Sequence, residues 1–330
     1  MGNSGFKLVK LNLIGRTTPE LDSFLREWSD SSDHITAYTS GSTGKPKEIR
    51  LLKRDMIRSA MSTCDYFGIG KGSRLGLPLS VNYIAGKMMV VRALISGAGL
   101  YVEAPSNRPL CGCKSEILPF TLVSVVPSQL DSILEYDTSI GDNLLIGGAP
   151  LSKSRENELL ANGINAFCSY GMTETCSHVA IRSVGDSIYK AMPGVTFATD
   201  NRGCLIIEAP GFSFGRLVTN DVVRQHDSVS FEWLGRYDNV INSGGIKIHP
   251  EEIETEIRRI ITDREFYVTS RPSEKWGEEL VLVIERPDQI DDLVAQLKGI
   301  LDSVKMPKDI IYKKAFSRTS SGKIIREKLI

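Results

Sequence analysis

The sequence predicts an α/β protein of two units, a large mixed α/β domain followed by a small mobile α+β domain, and three observations carry that prediction. Short apolar runs alternate with helical patterns as far as about residue 235, the arrangement of a sheet covered by helices. The texture then changes at a Gly-rich turn, Ser243-Gly244-Gly245. A chain of 330 residues, 41% hydrophobic and 24% charged, is also long enough for two cores.

In chain order, Lys53 to Phe67 reads as a helix, Arg74 to Leu79 as a strand, Tyr83 to Ile95 as a second helix, and Leu100 to Glu103 and Leu122 to Val126 as strands. Pro127 can open a third helix, because its missing N–H costs nothing in a first turn. Leu144 to Ile146 supplies a further strand. Past the Gly-rich turn, Pro250 starts a helix that places Ile253, Ile257, Ile260 and Ile261 on one face. Strands at Phe266 to Thr269 and Leu280 to Ile284, a helix over Asp291 to Val304 and a strand at Ile310 to Lys313 complete the small unit. The boundary is placed between residues 237 and 238.

Composition narrows the function classes. Forty basic and forty acidic residues cancel, so charge points neither to nucleic acid nor to an anionic membrane. Met1 to Lys10 has no signal-like apolar stretch, and no segment approaches the apolar length of a membrane span. A cytoplasmic protein without membrane insertion is expected. The six cysteines form no CxxC pair and the four histidines show no ligand spacing with them, so neither structural zinc nor a disulfide framework is expected. Small molecules are the expected ligands.

The segment YTSGSTGKPKE, residues 38–48, is too polar and too rich in glycine to fill a core, but its N–H groups and hydroxyls can wrap an anion. It is not the GxxxxGK[ST] loop, which needs glycine at 39 and a hydroxyl residue after Lys45; the chain has Thr39 and Pro46. A different phosphate loop is required. Three more stretches stand out: SYGMTET (169–175), GRYDNVINSGGIKIHPEEIE (235–254) and RTSSGKIIREKL (318–329).

Together, in this order, the four stretches resemble the signature motifs of the adenylate-forming enzymes, which include acyl-CoA synthetases, luciferases and the adenylation domains of peptide synthetases. The resemblance implies that ATP and a carboxylic acid react to an acyl-adenylate and pyrophosphate. Such chemistry brings two anions together, so cations and hydrogen-bond donors must screen them and stabilise charge on the α-phosphate. By resemblance, Thr39, Ser40, Ser42, Thr43 and Lys47 hold the β- and γ-phosphates, with Gly41 and Gly44 allowing close approach. Thr173 reaches the α-phosphate, Glu174 binds Mg2+, and Tyr170, followed by Gly171, packs on adenine. Asp221 accepts from the ribose hydroxyls with Arg236 assisting, and Lys323 is the mobile catalytic lysine. Taken singly, each has a blander reading as a cap, a turn or a solvated charge.

The resemblance also implies a second half-reaction, in which the small domain rotates about Asp238 and guides CoA to the acyl-adenylate past Gly244 and Gly245. The stretches LPLSVNYIAGKMMVVRAL (77–94), SVVPSQL (124–130) and LLIGGAPLS (144–152) are similar to the o-succinylbenzoate:CoA ligases of menaquinone synthesis. That subfamily has histidine where this chain has Tyr83. Gly147, Gly148 and Ala149 are expected along the nucleotide and acyl pocket. The second carboxylate of such an acid needs a cation, for which Lys87 and Arg92 are the candidates.

Only 37 residues precede Tyr38, where the family has a long first subdomain; some o-succinylbenzoate ligases resemble this shortened form. Apolar surface left by the shortening makes a homodimer an expectation. The competing readings are another aryl or acyl acid:CoA ligase, an enzyme that loads a carrier protein, and a non-catalytic nucleotide-binding relic.

Overall fold

The computed structural model describes residues 10–38, 47–135, 140–286, 288–318, 324–327 and 329. In chain order the first elements are β1 (Asn12–Ile14), α1 (Pro19–Ser29), β2 (His34–Tyr38), β3 (Glu48–Leu52), α2 (Lys53–Phe67), β4 (Arg74–Leu77), α3 (Ile84–Ser96) and β5 (Gly99–Val102). They continue with β6 (Leu122–Val125), α4 (Leu130–Glu135), β7 (Leu144–Ile146), α5 (Lys153–Ala161) and β8 (Ala166–Gly171). Six strands follow: β9 (His178–Ser183), β10 (Ile188–Ala191), β11 (Thr196–Thr199), β12 (Cys204–Ala209), β13 (Gly215–Asp227) and β14 (Ser230–Arg236). The last elements are β15 (Ile241–Ser243), β16 (Ile246–Ile248), α6 (Pro250–Ile257), β17 (Phe266–Ser273), β18 (Gly277–Glu285), α7 (Leu293–Ile300) and β19 (Asp309–Lys313).

Twelve strands form one sheet in the order β1-β5-β4-β6-β7-β8-β9-β10-β14-β13-β12-β11. The pairings from β1 to β8 are parallel, and every pairing from β8 to β11 is antiparallel. The mixed α/β class is therefore as the sequence predicts, with an antiparallel half over residues 166–236 that sequence patterning did not single out. A five-stranded sheet of β16-β15-β18-β17, with β19 on β18, makes the small unit, and a single 3-10 turn at Tyr237–Asn239 links the two sheets. β2 and β3 pair only with each other.

Local chemistry sets the helices that matter for the site. Thr18 caps α1 by accepting from Leu21 N at 3.2 Å, and Pro19 follows at the first helical position. Leu21, Phe24 and Trp28 then point into the core at helical spacing. α3 is apolar almost all round and nearly every residue from Gly86 to Leu94 is buried. A helix of that kind belongs inside, so its two cations, Lys87 and Arg92, are carried inside with it. The small unit has its own core of Ile241, Ile253, Ile257, Ile261, Val268, Leu280, Leu282 and Leu297 among others.

Candidate active site

β4 pairs with β5 on one side and β6 on the other, so consecutive parallel strands diverge at β4. The crevice outside the carboxyl ends of β4 and β6 is a topological switch point, where open α/β sheets bind ligands. Gln129, almost fully buried, organises its rim: Nε2 donates to Pro78 O at 3.2 Å and Ser106 O at 2.9 Å, and Oε1 accepts from Val126 N at 3.2 Å. Tyr83 stands partly exposed just before α3. Gly86 lies so close to the preceding loop that a Cβ there would meet Ser80 O at 2.2 Å. Gly147, Gly148 and Ala149 follow the end of β7; Gly147 N donates to Val125 O at 3.1 Å, and Ser169 Oγ of β8 lies 2.7 Å from where a Gly147 Cβ would sit.

The end of β8 gathers the predicted nucleotide residues. Gly171 crosses the returning chain, with Ser177 O 2.2 Å from where its Cβ would sit. Between them Thr173–Thr175 forms a 3-10 turn, closed by Met172 N donating to Thr175 Oγ1 at 3.0 Å and by Thr175 Oγ1 donating to Ser177 O at 2.6 Å. Thr173 is buried. Glu174 is half-buried and its carboxylate has no hydrogen-bond or ion-pair partner among the described residues. An acceptor-only oxygen pair held this way fits Mg2+, which takes one or two carboxylates plus phosphate oxygens. Among the described residues no cluster of three metal-binding side chains competes for a metal.

Tyr170 and Asp221, predicted separately, meet directly. The Tyr170 hydroxyl donates to Asp221 Oδ2 at 2.7 Å, and Trp233 Nε1 donates to Oδ1 at 3.2 Å. Asp221 N donates to Thr219 Oγ1, and Arg236 Nη1 lies 3.7 Å from Asp221 Oδ1. Burial, reinforced by the Asp221 charge, pushes the Tyr170 phenol well above its usual range, so it remains a donor. Arg236 also pairs with Asp238 at 2.8 Å in the turn between the sheets. Gln129 and Trp233 belong to this region: Gln129 falls within the quoted stretch 124–130, though no role was given to it there, and Trp233 lies in none of the quoted stretches.

The two candidate cations for the second carboxylate lie in different surroundings. Lys87 Nζ lies 3.8 Å from Glu27 Oε2 and 4.7 Å above the Phe24 ring, against α1. Arg92, 2% exposed, donates from Nη2 to Ser177 Oγ at 3.0 Å and from Nη1 to Met89 Sδ at 3.3 Å. Its Nε has no acceptor, and it forms no ion pair among the described residues. Burial pulls its guanidinium down to about 10. Next to it, burial and then the Arg92 charge drive His178 well below its usual range; His178 Nε2 is 3.1 Å from Thr63 Oγ1.

Gly244 and Gly245, both at positive φ, make the two-residue turn of the β15–β16 hairpin. Gly244 N donates to Trp276 O at 2.7 Å. Lys47 immediately precedes β3, at the end of the segment that joins β2 to β3. The predicted Thr39, Ser40, Gly41, Ser42, Thr43, Gly44 and Lys323 lie outside the described residues.

Three comparisons bear on this geometry. The family described as AMP-binding enzyme matches residues 22–210. The chain is 28% identical to 2-succinylbenzoate--CoA ligase of Listeria monocytogenes serovar 1/2a, over 94% of this chain and 72% of that protein. An acyl-CoA synthetase (AMP-forming)/AMP-acid ligase II-like protein from Dyadobacter fermentans is 34% identical, with 94% of this chain and 93% of that one covered at a TM-score of 0.61. O-succinylbenzoate coenzyme A synthetase from Bacillus subtilis, solved with ATP and magnesium ion, is 24% identical and shares the fold at a TM-score of 0.77 over 88% of this chain and 68% of that one.

Proposed function

The chain belongs to the AMP-binding enzyme family, the adenylate-forming acid:CoA ligases, and on that premise we propose that it converts o-succinylbenzoate to its CoA thioester in the cytoplasm, as a step of menaquinone biosynthesis. The acid's carboxylate oxygen attacks the α-phosphorus of ATP and pyrophosphate leaves. The CoA thiol then attacks the acyl carbonyl and AMP leaves. Residues 39–44 and Lys47 hold the leaving phosphates, Thr173 the α-phosphate, Tyr170 the adenine, and Asp221 and Arg236 the ribose. Glu174 holds Mg2+, which supplies charge neutralisation at the phosphate oxygens. Lys323 bridges the attacking carboxylate and the α-phosphate, and the unit after Asp238 turns to present Gly244 and Gly245 to CoA.

The observation that supports a dicarboxylic acid is Arg92. A buried guanidinium with no carboxylate partner among the described residues and an unsatisfied Nε is costly, and a substrate anion would supply the missing charge. Arg92 contacts Ser177, the residue whose carbonyl packs against Gly171, so it lies beside the nucleotide motif. Acid-dependent pyrophosphate release from ATP, Mg2+ and CoA, compared across o-succinylbenzoate, benzoate, indoleacetate and short fatty acids, tests the reading. Preference for o-succinylbenzoate is expected; equal turnover of the monocarboxylic acids would remove the dicarboxylate assignment and keep the ligase.

A further inference from the structure

Four neighbouring strands build one aromatic cluster around Tyr170. Tyr170 of β8 lies opposite Ala180 of β9, which lies opposite Ala191 of β10. Side chains two residues apart share a sheet face, so Arg182 and Tyr189 stand on the face of Tyr170, and the two alanines between leave room for the rings to meet. Tyr189 is opposite Phe231 of β14, and their rings stack at 5.5 Å and 17°. The Tyr170 ring meets both edge-on, 5.9 Å from Tyr189 and 5.1 Å from Phe231. Two such contacts, with the hydroxyl tied to Asp221, fix the plane of the ring. Charge holds the cluster from outside. Arg182 Cζ lies 5.4 Å from the Tyr189 ring centre, Nη2 donates to Glu156 Oε1 of α5 at 2.5 Å, and Nη1 donates to Asp186 O at 2.6 Å. Glu156 Oε2 takes Lys153 Nζ at 3.1 Å. The Arg182 and Glu156 side chains are only 10% and 5% exposed. A buried ion pair adds little net stability over apolar groups of the same shape, and neither residue has a part in the proposed reaction.

We propose that Tyr189 and Arg182 are positioning residues for the nucleoside: Glu156 holds the Arg182 guanidinium against Tyr189, and Tyr189, backed by Phe231, holds the Tyr170 ring in the plane that receives adenine. Both act through Tyr170 and not by touching the nucleotide. The inference rests on the reading of Tyr170 as the adenine residue and gives that residue its support. Without the support, the nucleotide itself would have to order the Tyr170 ring on binding, which lowers affinity. The buried charge of Arg182 then has a reason, because an apolar side chain in its place would pack but would not draw the face of Tyr189 to one position.

The test is calorimetric binding of AMP, which carries the nucleoside without the β- and γ-phosphates, beside the Michaelis constant for o-succinylbenzoate. Tyr189→Leu should weaken AMP about threefold to tenfold and Arg182→Met about threefold, with the acid constant within about twofold of wild type. Tyr189→Phe, which keeps the ring, should recover most of the loss. In a Tyr170→Leu background, Tyr189→Leu should have no further effect on AMP, since its action runs through the missing ring. Unchanged AMP affinity in the folded single variants overturns the proposal. So do additive losses in the double variant, or an acid constant that rises in step with the dissociation constant of AMP. Should a variant not fold, wild-type protein labelled with fluorotyrosine decides: the Tyr189 resonance should move when AMP binds, and a fixed resonance overturns the proposal. Wild-type protein that does not bind AMP, or Tyr170→Leu that binds it normally, overturns the adenine reading itself, a result distinct from wild-type binding with indifferent Tyr189 and Arg182 variants.

Discussion

The hydroxyl of Tyr170 donates to Asp221 at 2.7 Å, across the gap between the last parallel strand and the long antiparallel β13. One hydrogen bond thus fixes, relative to each other, the residues proposed to hold the two ends of a nucleoside. The Trp233 N–H on the other carboxylate oxygen keeps Asp221 from turning, and each oxygen retains a lone pair for a ribose hydroxyl.

Tyr170→Phe deletes this bond and leaves the ring. Hydrogen bonds to charged groups contribute about 1.5–3 kcal/mol, so the Michaelis constant for ATP should rise roughly tenfold while that for the acid stays constant. Asp221→Asn, which alters the ribose acceptor itself, should cost more. Steady-state kinetics in both substrates checks the pair, and a Phe variant indistinguishable from wild type would break the assignment.

Arg92→Met should remove the preference between a dicarboxylic acid and its monocarboxylic analogue, raising the Michaelis constant of the former by about tenfold to a hundredfold and sparing the latter. Because the methionine is apolar and the site buried, folding should be retained or improved. Melting temperature read alongside the kinetics separates the two effects; loss of both acids in parallel would point to a packing role only.

Lys323→Ala should slow adenylation by orders of magnitude yet leave thioester formation from synthetic acyl-adenylate and CoA nearly intact, since a residue used in one transition state affects that step. Single-turnover measurement of each half-reaction decides it. Equal loss in both would remove Lys323 from the role.

His178 sets an acid limit on stability. Its folded-state pKa lies well below the unfolded value near 6.5, so below that pH the unfolded chain binds a proton that the folded chain refuses. Stability is therefore held above about pH 6.5 and lost as pH falls, with a slope of up to about 1.4 kcal/mol per pH unit from this one group. His178→Gln should flatten that part of the profile in urea unfolding between pH 7 and pH 5. An unchanged slope would mean that His178 takes up its proton within the folded protein.

Much of this was legible before any coordinates. Lys53–Phe67 is a helix over the predicted span, because Gly68 ends it in the left-handed conformation that glycine tolerates. The apolar strands of the parallel half stand out as short runs, and the proline-opened helix at Pro250 begins where its ring requires. The helix expected over 291–304 is shorter, Leu293–Ile300, and the chain leaves it extended at Leu301. At Pro127 a 3-10 turn precedes the α-helix. Within residues 178–236 the short, partly exposed strands Ile188–Ala191 and Thr196–Thr199 alternate over too few residues to stand out in the sequence. In the site, motif residues could be named from a resemblance; Gln129 lay inside the quoted stretch 124–130 without a role, and Trp233 lay in none of the quoted stretches. Both act through partners that only the fold brings near, and Lys87 and Arg92, five positions apart on one helix, face different neighbours for the same reason.

The most direct test of the central claim is the identity of the products formed from ATP, o-succinylbenzoate and CoA by the wild-type protein, read by mass spectrometry. The account predicts AMP, pyrophosphate and the CoA thioester in equal amounts. ADP and inorganic phosphate in their place would contradict it, since cleavage would then fall at the terminal phosphate and no acyl-adenylate would form.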